Sequence, residues 1–429
     1  MNVSDSERVA ASLAAKGFQI TSDEDSADVI LINTCSVREK AEQKLYSRIG
    51  RIRHQTGDRP AIGVLGCVAQ LEGETLFSRS GEIDFVVGTK AVGRVAEAIN
   101  NFYGSGERWV DVGDREFDYD WSIGREHSHS PYVAFIPIIE GCNKFCTYCI
   151  VPFSRGREKS LDAEAIIAQI RSLRNEGVKE VHLIGQNVNS YRPKEDEFLE
   201  RYPGATPFSK LLRATAATGI ERIKFTTSFP RDFHPDIVDA IDEHENLCNW
   251  VHLPAQSGSN RILQSMRRGH TIESYLKKVD KIRSSSRNIS LTTDIIVGFP
   301  GETENDFEET VKMVERCRFD SAYIFKYSPR PGTPAFSMPD DVSVSEKTRR
   351  FCELEAVQKK CQRTELERYI GRTVSVLAER VSSRSGTDLT GHSTCHKVVN
   401  FRGAQDMLGK VVNVRITEVK SNSFYGEAN

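Results

Sequence analysis

Residues 141–149 read Gly-Cys-Asn-Lys-Phe-Cys-Thr-Tyr-Cys, a C-x3-C-x2-C spacing built from Cys142, Cys146 and Cys149. Three thiolates in one tight loop suit an iron–sulfur cluster, because iron prefers soft sulfur ligands. A four-iron cluster usually takes four cysteines, so a loop with three leaves one iron open to a small molecule. Pro152 comes three residues after Cys149 with no cysteine before it, unlike the bacterial ferredoxin run. The alternatives are zinc and cysteines that bind nothing. Structural zinc wants four ligands, usually as two separated pairs, and no His or Cys close after Cys149 completes such a set.

A loop of this kind needs a scaffold. Residues 132–365 alternate strand and helix, with candidate strands at 133–139, 180–184, 222–227, 250–253, 290–297 and 321–327 and helices such as 162–174 and 304–316 between them. Six such units predict a parallel barrel, incomplete, whose active site lies at the carboxyl ends of the strands. The three-cysteine loop comes directly after the first strand. Other strand ends carry polar or Gly-rich tails: Gly185-Gln186-Asn187-Val188-Asn189, Thr227-Ser228, Gln256-Ser257-Gly258-Ser259 and Gly298-Phe299-Pro300-Gly301-Glu302. Tails gathered on one rim make a pocket.

Residues 1–104 read as an open α/β domain with a parallel sheet. A helix capped at Ser4-Asp5-Ser6-Glu7 is expected to run to Lys16 and stop at Gly17. Apolar strands at 27–33, 61–65 and 85–87 end at Cys35, Cys67 and Gly88 respectively, with a charged helix over 38–53. Ligands of open α/β sheets bind at that carboxyl edge, so Cys35 and Cys67 could share a site. A Cys at a strand end is also an ordinary small buried residue. Residues 105–131 are polar and aperiodic and read as a linker; residues 366–429 are β-rich, with strands at 374–378, 397–401 and 411–416, and fit a small OB-sized barrel.

The whole chain has 429 residues and a net charge of −2, which predicts two or three domains and gives no whole-chain signal for nucleic acid. Ten cysteines in a long chain read as metal ligands or reduced thiols rather than a disulfide framework. No apolar h-region or membrane-length run is visible, so the expectation is a cytoplasmic protein with no membrane partner. Cys248, Cys317, Cys352, Cys361 and Cys395 lack ligand spacing and read as structural. The pairs Arg267-Arg268, Lys277-Lys278, Arg349-Arg350 and Lys359-Lys360 read as solvated helix faces.

With Tyr148 in the aromatic slot, the cysteine loop resembles the signature of the radical S-adenosylmethionine (SAM) superfamily. The order of α/β domain, barrel and β-rich tail resembles the methylthiotransferases. The runs at 33–41, 66–70, 183–191 and 252–259 resemble the branch acting on isopentenyl-adenosine in tRNA, and Ser36-Val37-Arg38-Glu39-Lys40 is the most branch-specific. The resemblance implies two [4Fe-4S] clusters. One, at Cys142, Cys146 and Cys149, would bind SAM, in a pocket including Tyr148, Gln186, Asn187 and Gly298. An auxiliary one would be held at Cys35 and Cys67. It implies C2-methylthiolation of adenosine 37, consuming two SAM, with sulfur carried on the auxiliary cluster. Substrate contact would fall to a TRAM-like RNA-binding tail. A flavodoxin-type electron donor and a sulfur donor are the implied partners, and a monomer is expected. The alternatives are a methylthiotransferase acting on threonylcarbamoyl-adenosine or on a ribosomal-protein aspartate, and, more remotely, a non-enzymatic iron–sulfur RNA-binding protein.

In the resembling family the auxiliary cluster takes three cysteines, the first in a Gly-Cys-Gln-Met-Asn motif. This sequence opens Met1-Asn2-Val3-Ser4-Asp5-Ser6-Glu7, which matches the family's residues just after that cysteine. The expectation is an N-terminally short chain, its first strand missing, that holds the auxiliary cluster weakly or not at all.

Overall fold

A computed structural model describes residues 1–36, 39–55, 59–113, 128–383 and 385–428. It divides into two compact units. The first is Met1–His129 with Glu140–Asn143 and Cys149–Glu158; the second is Ser130–Ile139, Lys144–Tyr148 and Lys159–Asn429.

In the first unit, strands β1 (Val29–Thr34), β2 (Ala61–Gly66), β3 (Phe85–Val87) and β4 (Trp109–Asp111) form one sheet in that order, all neighbours parallel. Every residue of β2 is buried, as the unbroken apolar run Ala-Ile-Gly-Val-Leu requires of a strand covered on both faces. Its alternation sends Ile62 and Val64 into a core with Ile30, Leu45 and Ile49, and Ala61 and Leu65 into a second with Val9, Leu13 and Phe85. Each fully buried Leu or Ile is worth roughly 1.5–3 kcal/mol.

Two expectations change here. Trp109–Asp111 falls in the stretch read as a linker, yet it is the fourth strand of the sheet; residues 114–127 of that stretch lie outside the described residues. The first helix spans Asn2–Ala15 with Met1 at its N-cap and no side-chain cap, so Ser4 and Asp5 are buried within it instead of capping it. Asp5 pairs with Arg155. The helix Glu39–Gln55 is where charge patterning put it. Val37 and Arg38 of the branch-specific run lie outside the described residues.

The second unit opens with β5 (Val133–Pro137); along the chain the two-residue strands β6 (Ile139–Glu140), at the boundary between the units, and β7 (Lys159–Ser160) follow. Then come β8 (Glu180–Ile184), β9 (Arg222–Phe225), β10 (Trp250–His252), β11 (Ser290–Val297) and β12 (Ser321–Lys326). β5, β8 and β9 pair in parallel, as do β10, β11 and β12. The Ile223–Leu247 bridge and the Ser228 N–H bond to the His252 carbonyl join the two sets. This is the expected incomplete barrel of six parallel strands. Its helices carry the caps that free N–H groups need. Asp162 accepts from Ala165, and Thr206, Thr271 and Thr303 each close a capping box.

The tail closes into a barrel of β13 (Thr373–Val381), β14 (Leu389–Ser393), β15 (Val398–Arg402), β16 (Val411–Val419) and β17 (Ser423–Ala428), ordered β13-β14-β15-β17-β16. Its Arg222-facing turn fixes it to the core. The Arg222 Nη1 donates to the His392 carbonyl at 2.9 Å, Lys224 Nζ meets His396 Nδ1 at 3.1 Å, and the His396 ring packs tilted against Trp250 with centroids 4.5 Å apart. Lys224 and Arg222 also flank the buried Glu180, at 3.0 and 2.7 Å; the Arg222 pair is a charge contact without aligned hydrogen-bond geometry. Burial, with Lys224 next in weight, pushes the His396 imidazole down to about 2, so it meets Lys224 as a neutral acceptor. Among the described residues no helix is long and apolar enough to cross a membrane.

Candidate functional site

Thr34 and Gly66 are partners in the β1–β2 register, so Cys35 and Cys67 leave neighbouring strands at the same edge. Cys67 is buried and Cys35 half-buried. Gly66 has φ 88°, and a Cβ there would meet the Asn33 side-chain oxygen at 2.3 Å. Only glycine lets the chain turn so tightly from β2 into the helix Cys67–Glu72.

Beside this edge, in the same unit, lies a buried ion cluster. Arg155, in the helix Val151–Arg155, donates to Asp5 at 2.5 Å, to Glu140 at 3.0 Å and to the Asn2 side chain at 3.2 Å. Burial opposes the guanidinium charge, but Asp5, Cys67 and Glu140 together outweigh it and hold it charged. Burial pushes the Glu140 carboxyl up to about 7 against the pull of Arg155, and its Oε2 has no hydrogen-bond partner. Thr89 Oγ1 donates to the Ser154 carbonyl at 2.6 Å, and Cys142 N–H to the Gly156 carbonyl at 3.1 Å. No spacing in the sequence announced this cluster.

In the second unit, the middle of the cysteine loop is pinned to the carboxyl rim. Thr147 N–H donates to the Met266 carbonyl at 3.1 Å and its hydroxyl to the Ser265 carbonyl at 2.9 Å, while Ala335 N–H donates to the Thr147 carbonyl at 2.8 Å. Lys144 pairs with Asp232 at 2.7 Å, and Ser190 donates to the same oxygen at 2.8 Å. Burial works against the Asp232 charge, yet hydrogen bonds from Arg231, Lys144 and Ser190 hold its carboxyl down at about 2. The Phe229 ring has three cations within reach: Arg268 at 4.4 Å, Arg231 at 5.4 Å and Lys144 at 5.6 Å from its centroid.

Non-glycine residues with positive φ gather on this rim: Phe145 at 47°, Thr227 at 58°, Gln256 at 77° and Arg267 at 56°. Such conformations cost about 1–3 kcal/mol each and collect at functional sites. The buried Gln186 Oε1 and Ser228 Oγ have no partner on the same rim, which leaves polar atoms for a ligand. Asn187 is buried. Tyr148 packs against the apolar cluster of Ile262, Met266, Phe299, Tyr327 and Ala335. Gly298 has φ 71° and donates its N–H to Glu302 at 2.6 Å.

Cys142 and Cys146 are buried and Cys149 is half-buried. Among the described residues no three His, Cys, Asp or Glu side chains gather around one ion position. A zinc site needs such a gathering, whereas a four-iron cluster spreads its thiolates over separate irons. Within the second unit the Arg268 guanidinium donates to the Cys146 Sγ at 3.5 Å, an arrangement that suits an anionic thiolate. Cys248, Cys317 and Cys395 are buried, Cys361 is half-buried and Cys352 exposed.

The basic pairs divide. Arg267, Lys277, Arg349, Lys359 and Lys360 are exposed and Lys278 is half-buried, but Arg268 and Arg350 are buried. Arg350 pairs with Glu302 at 2.8 Å. Arg268 lies beyond the helix Asn260–Ser265, not on a helix face, and turns inward.

Residues 136–314 match the radical SAM superfamily, residues 367–428 the TRAM domain, and residues 1–88 an uncharacterized protein family, UPF0004. The chain is 40% identical to a tRNA-2-methylthio-N(6)-dimethylallyladenosine synthase of Koribacter versatilis, covering 100% of this chain and 95% of that protein. A protein of the same name from Yersinia pseudotuberculosis is 41% identical over 99% of this chain and 90% of its own. Among solved structures, the radical S-adenosylmethionine methyltransferase TsrM of Kitasatospora setae, with cobalamin and a [4Fe-4S] cluster bound, shares the fold. Its TM-score is 0.55 at 15% identity, over 77% of this chain and 73% of that one. Identity at this level along the whole chain, together with the radical SAM and TRAM matches, means that the chain belongs to the tRNA-2-methylthio-N(6)-dimethylallyladenosine synthase family of radical SAM methylthiotransferases.

Proposed function

We propose that this chain adds a methylthio group to C2 of isopentenyl-adenosine at position 37 of tRNA. The observation that carries the reading is the Cys142-x3-Cys146-x2-Cys149 spacing, whose middle residues, Phe145 and Cys146 among them, lie with strained and unpartnered polar groups on the carboxyl rim of the second unit. Cys142, Cys146 and Cys149 would hold a four-iron cluster, and Cys35 and Cys67 are the two thiolates offered to an auxiliary one, a weak set because two irons are left without protein sulfur. When bound, these supply reductive cleavage of SAM and a transferable sulfur. A ring C–H bond is outside the acid–base reach of side chains, which is why such groups are needed.

The residues of the chain do the rest. Lys144, Arg231 and Arg268 around Phe229 favour anionic ligands at the rim. Gln186, Asn187, Tyr148 and Gly298 line the SAM pocket. Exposed Arg402 on β15 and Arg415 on β16 offer contacts to tRNA phosphate. The target base must leave its stack to be reached, at a cost of a few kcal/mol. A flavodoxin-type protein supplies electrons, a separate donor restores sulfur, and the enzyme works as a monomer in the cytoplasm.

Nucleoside mass spectrometry of tRNA from a deletion strain, with and without this gene restored, tests the reading. Restored 2-methylthio-isopentenyl-adenosine supports it. Methylthiolated threonylcarbamoyl-adenosine in its place refutes it. Ala at Cys142, Cys146 or Cys149 should abolish 5′-deoxyadenosine formation, and normal formation by any one of these variants would remove the ligand assignment. Iron analysis with Mössbauer spectroscopy on Cys35→Ser and Cys67→Ser tests the auxiliary pair separately.

A further inference from the structure

We propose that Arg268 is a positioning residue that holds the Cys146 thiolate by an N–H···S hydrogen bond and raises the reduction potential of the cluster ligated there. Its Nη1 donates to Cys146 Sγ at 3.5 Å and its Nη2 to the Pro254 carbonyl at 2.7 Å. The guanidinium lies 4.4 Å over the Phe229 ring, and the residue is 5% exposed. Three contacts fix the planar group, so its donor is aimed rather than merely nearby.

The backbone is bent to achieve this. Arg267 and Gly269, on either side, have φ of 56° and 64°. Arg267 is exposed and has the left-handed conformation that a side chain disfavours. The turn also binds the cysteine loop through the Ser265 and Met266 carbonyls, so Arg268 and Cys146 are held at a fixed separation.

The electrostatic consequence has a definite sign. Reduction adds a negative charge to the cluster. A buried cation and an N–H donor on a ligand sulfur stabilise the reduced state more than the oxidised one. Removing them lowers the potential and makes the cluster harder to reduce. The inference rests on the reading that Cys146 is a cluster ligand.

The experiment is a redox titration monitored by electron paramagnetic resonance, on the full chain reconstituted anaerobically with iron and sulfide. Arg268→Met should keep wild-type iron content and shift the midpoint of the SAM cluster to a more negative value. Arg268→Lys, which keeps charge but loses the fork, should shift it the same way by less. A wild-type midpoint in the Met variant overturns the proposal. Loss of the cluster from both variants with unchanged circular dichroism also overturns it, since Arg268 would then serve assembly instead of tuning. A wild-type chain that takes up no cluster at Cys142, Cys146 and Cys149 fails the underlying reading. That is a different result from a wild-type cluster whose potential ignores Arg268.

Discussion

Arg155 and Asp5 form an ion pair 2.5 Å across, with side-chain exposures of 3% and 7%. It ties the first helix of the chain to the segment just after Cys149. The Coulomb gain of a buried pair is largely offset by desolvation, but breaking one leaves an uncompensated charge. Asp5→Ala should therefore destabilise the first unit by about 3–5 kcal/mol. Thermal unfolding monitored by circular dichroism would detect it, and a melting profile unchanged from wild type would mean that Glu140 alone suffices for Arg155.

Gly391 on β14 makes a sharper steric prediction. A Cβ there would lie 1.8 Å from the Leu377 carbonyl oxygen on the paired strand β13. Gly391→Ala must push the strands apart, at a cost of about 1–3 kcal/mol or more. Limited proteolysis should release fragments from the C-terminal barrel faster than in wild type, with cleavage elsewhere unchanged.

Stability should also carry the imprint of His270. Burial first, then Arg268, pushes its imidazole down to about 4, and its Nε2 has no hydrogen-bond partner. Unfolded, the ring takes a proton below about 6.5. Between pH 6.5 and 4 the unfolded state binds more protons, so stability is full above 6.5 and is lost as pH falls toward 4. The full loss is on the order of 3 kcal/mol. His270→Phe should flatten that part of the profile of chemical denaturation against pH.

Glu180 sits between Arg222 and Lys224 with 2% of its side chain exposed. Glu180→Gln removes the anion and leaves two buried cations, at a cost of about 3–5 kcal/mol. The expected readout is a lower melting temperature together with faster exchange of amide hydrogens in β14 and β15.

The six core strands were legible because each is a short apolar run closed by Gly or a polar tail, and such runs have few other uses. The strand ends at Cys35 and Cys67 were legible for the same reason. Trp109–Asp111 was not, since three residues show no period. Nor were β14 and β17, whose Leu-Thr-Gly-His-Ser and Ser-Phe-Tyr-Gly-Glu-Ala sequences are poor in β-branched residues and become strands only through barrel closure. Asp5 looked like a cap because acidic residues favour helix starts, and nothing local reveals a partner 150 residues away. Arg268 was hidden by its neighbour. Adjacent arginines suggest a solvated face, and only the left-handed turn at Arg267 sends one outward and the other in.

The turn carrying His396 reaches into the floor of the core, where it packs tilted against Trp250 and accepts from Lys224. The C-terminal barrel is thus a plug as well as an appendage. Cutting it away would flood Lys224, Arg222 and Glu180 with water, so a truncated enzyme that bound tRNA poorly would say little about RNA contacts. The same fit bears on inheritance. A barrel transplanted from another protein would have to bring a ring that fills this floor, so the two pieces are exchanged between genes most readily when the histidine and its receiving strands travel together.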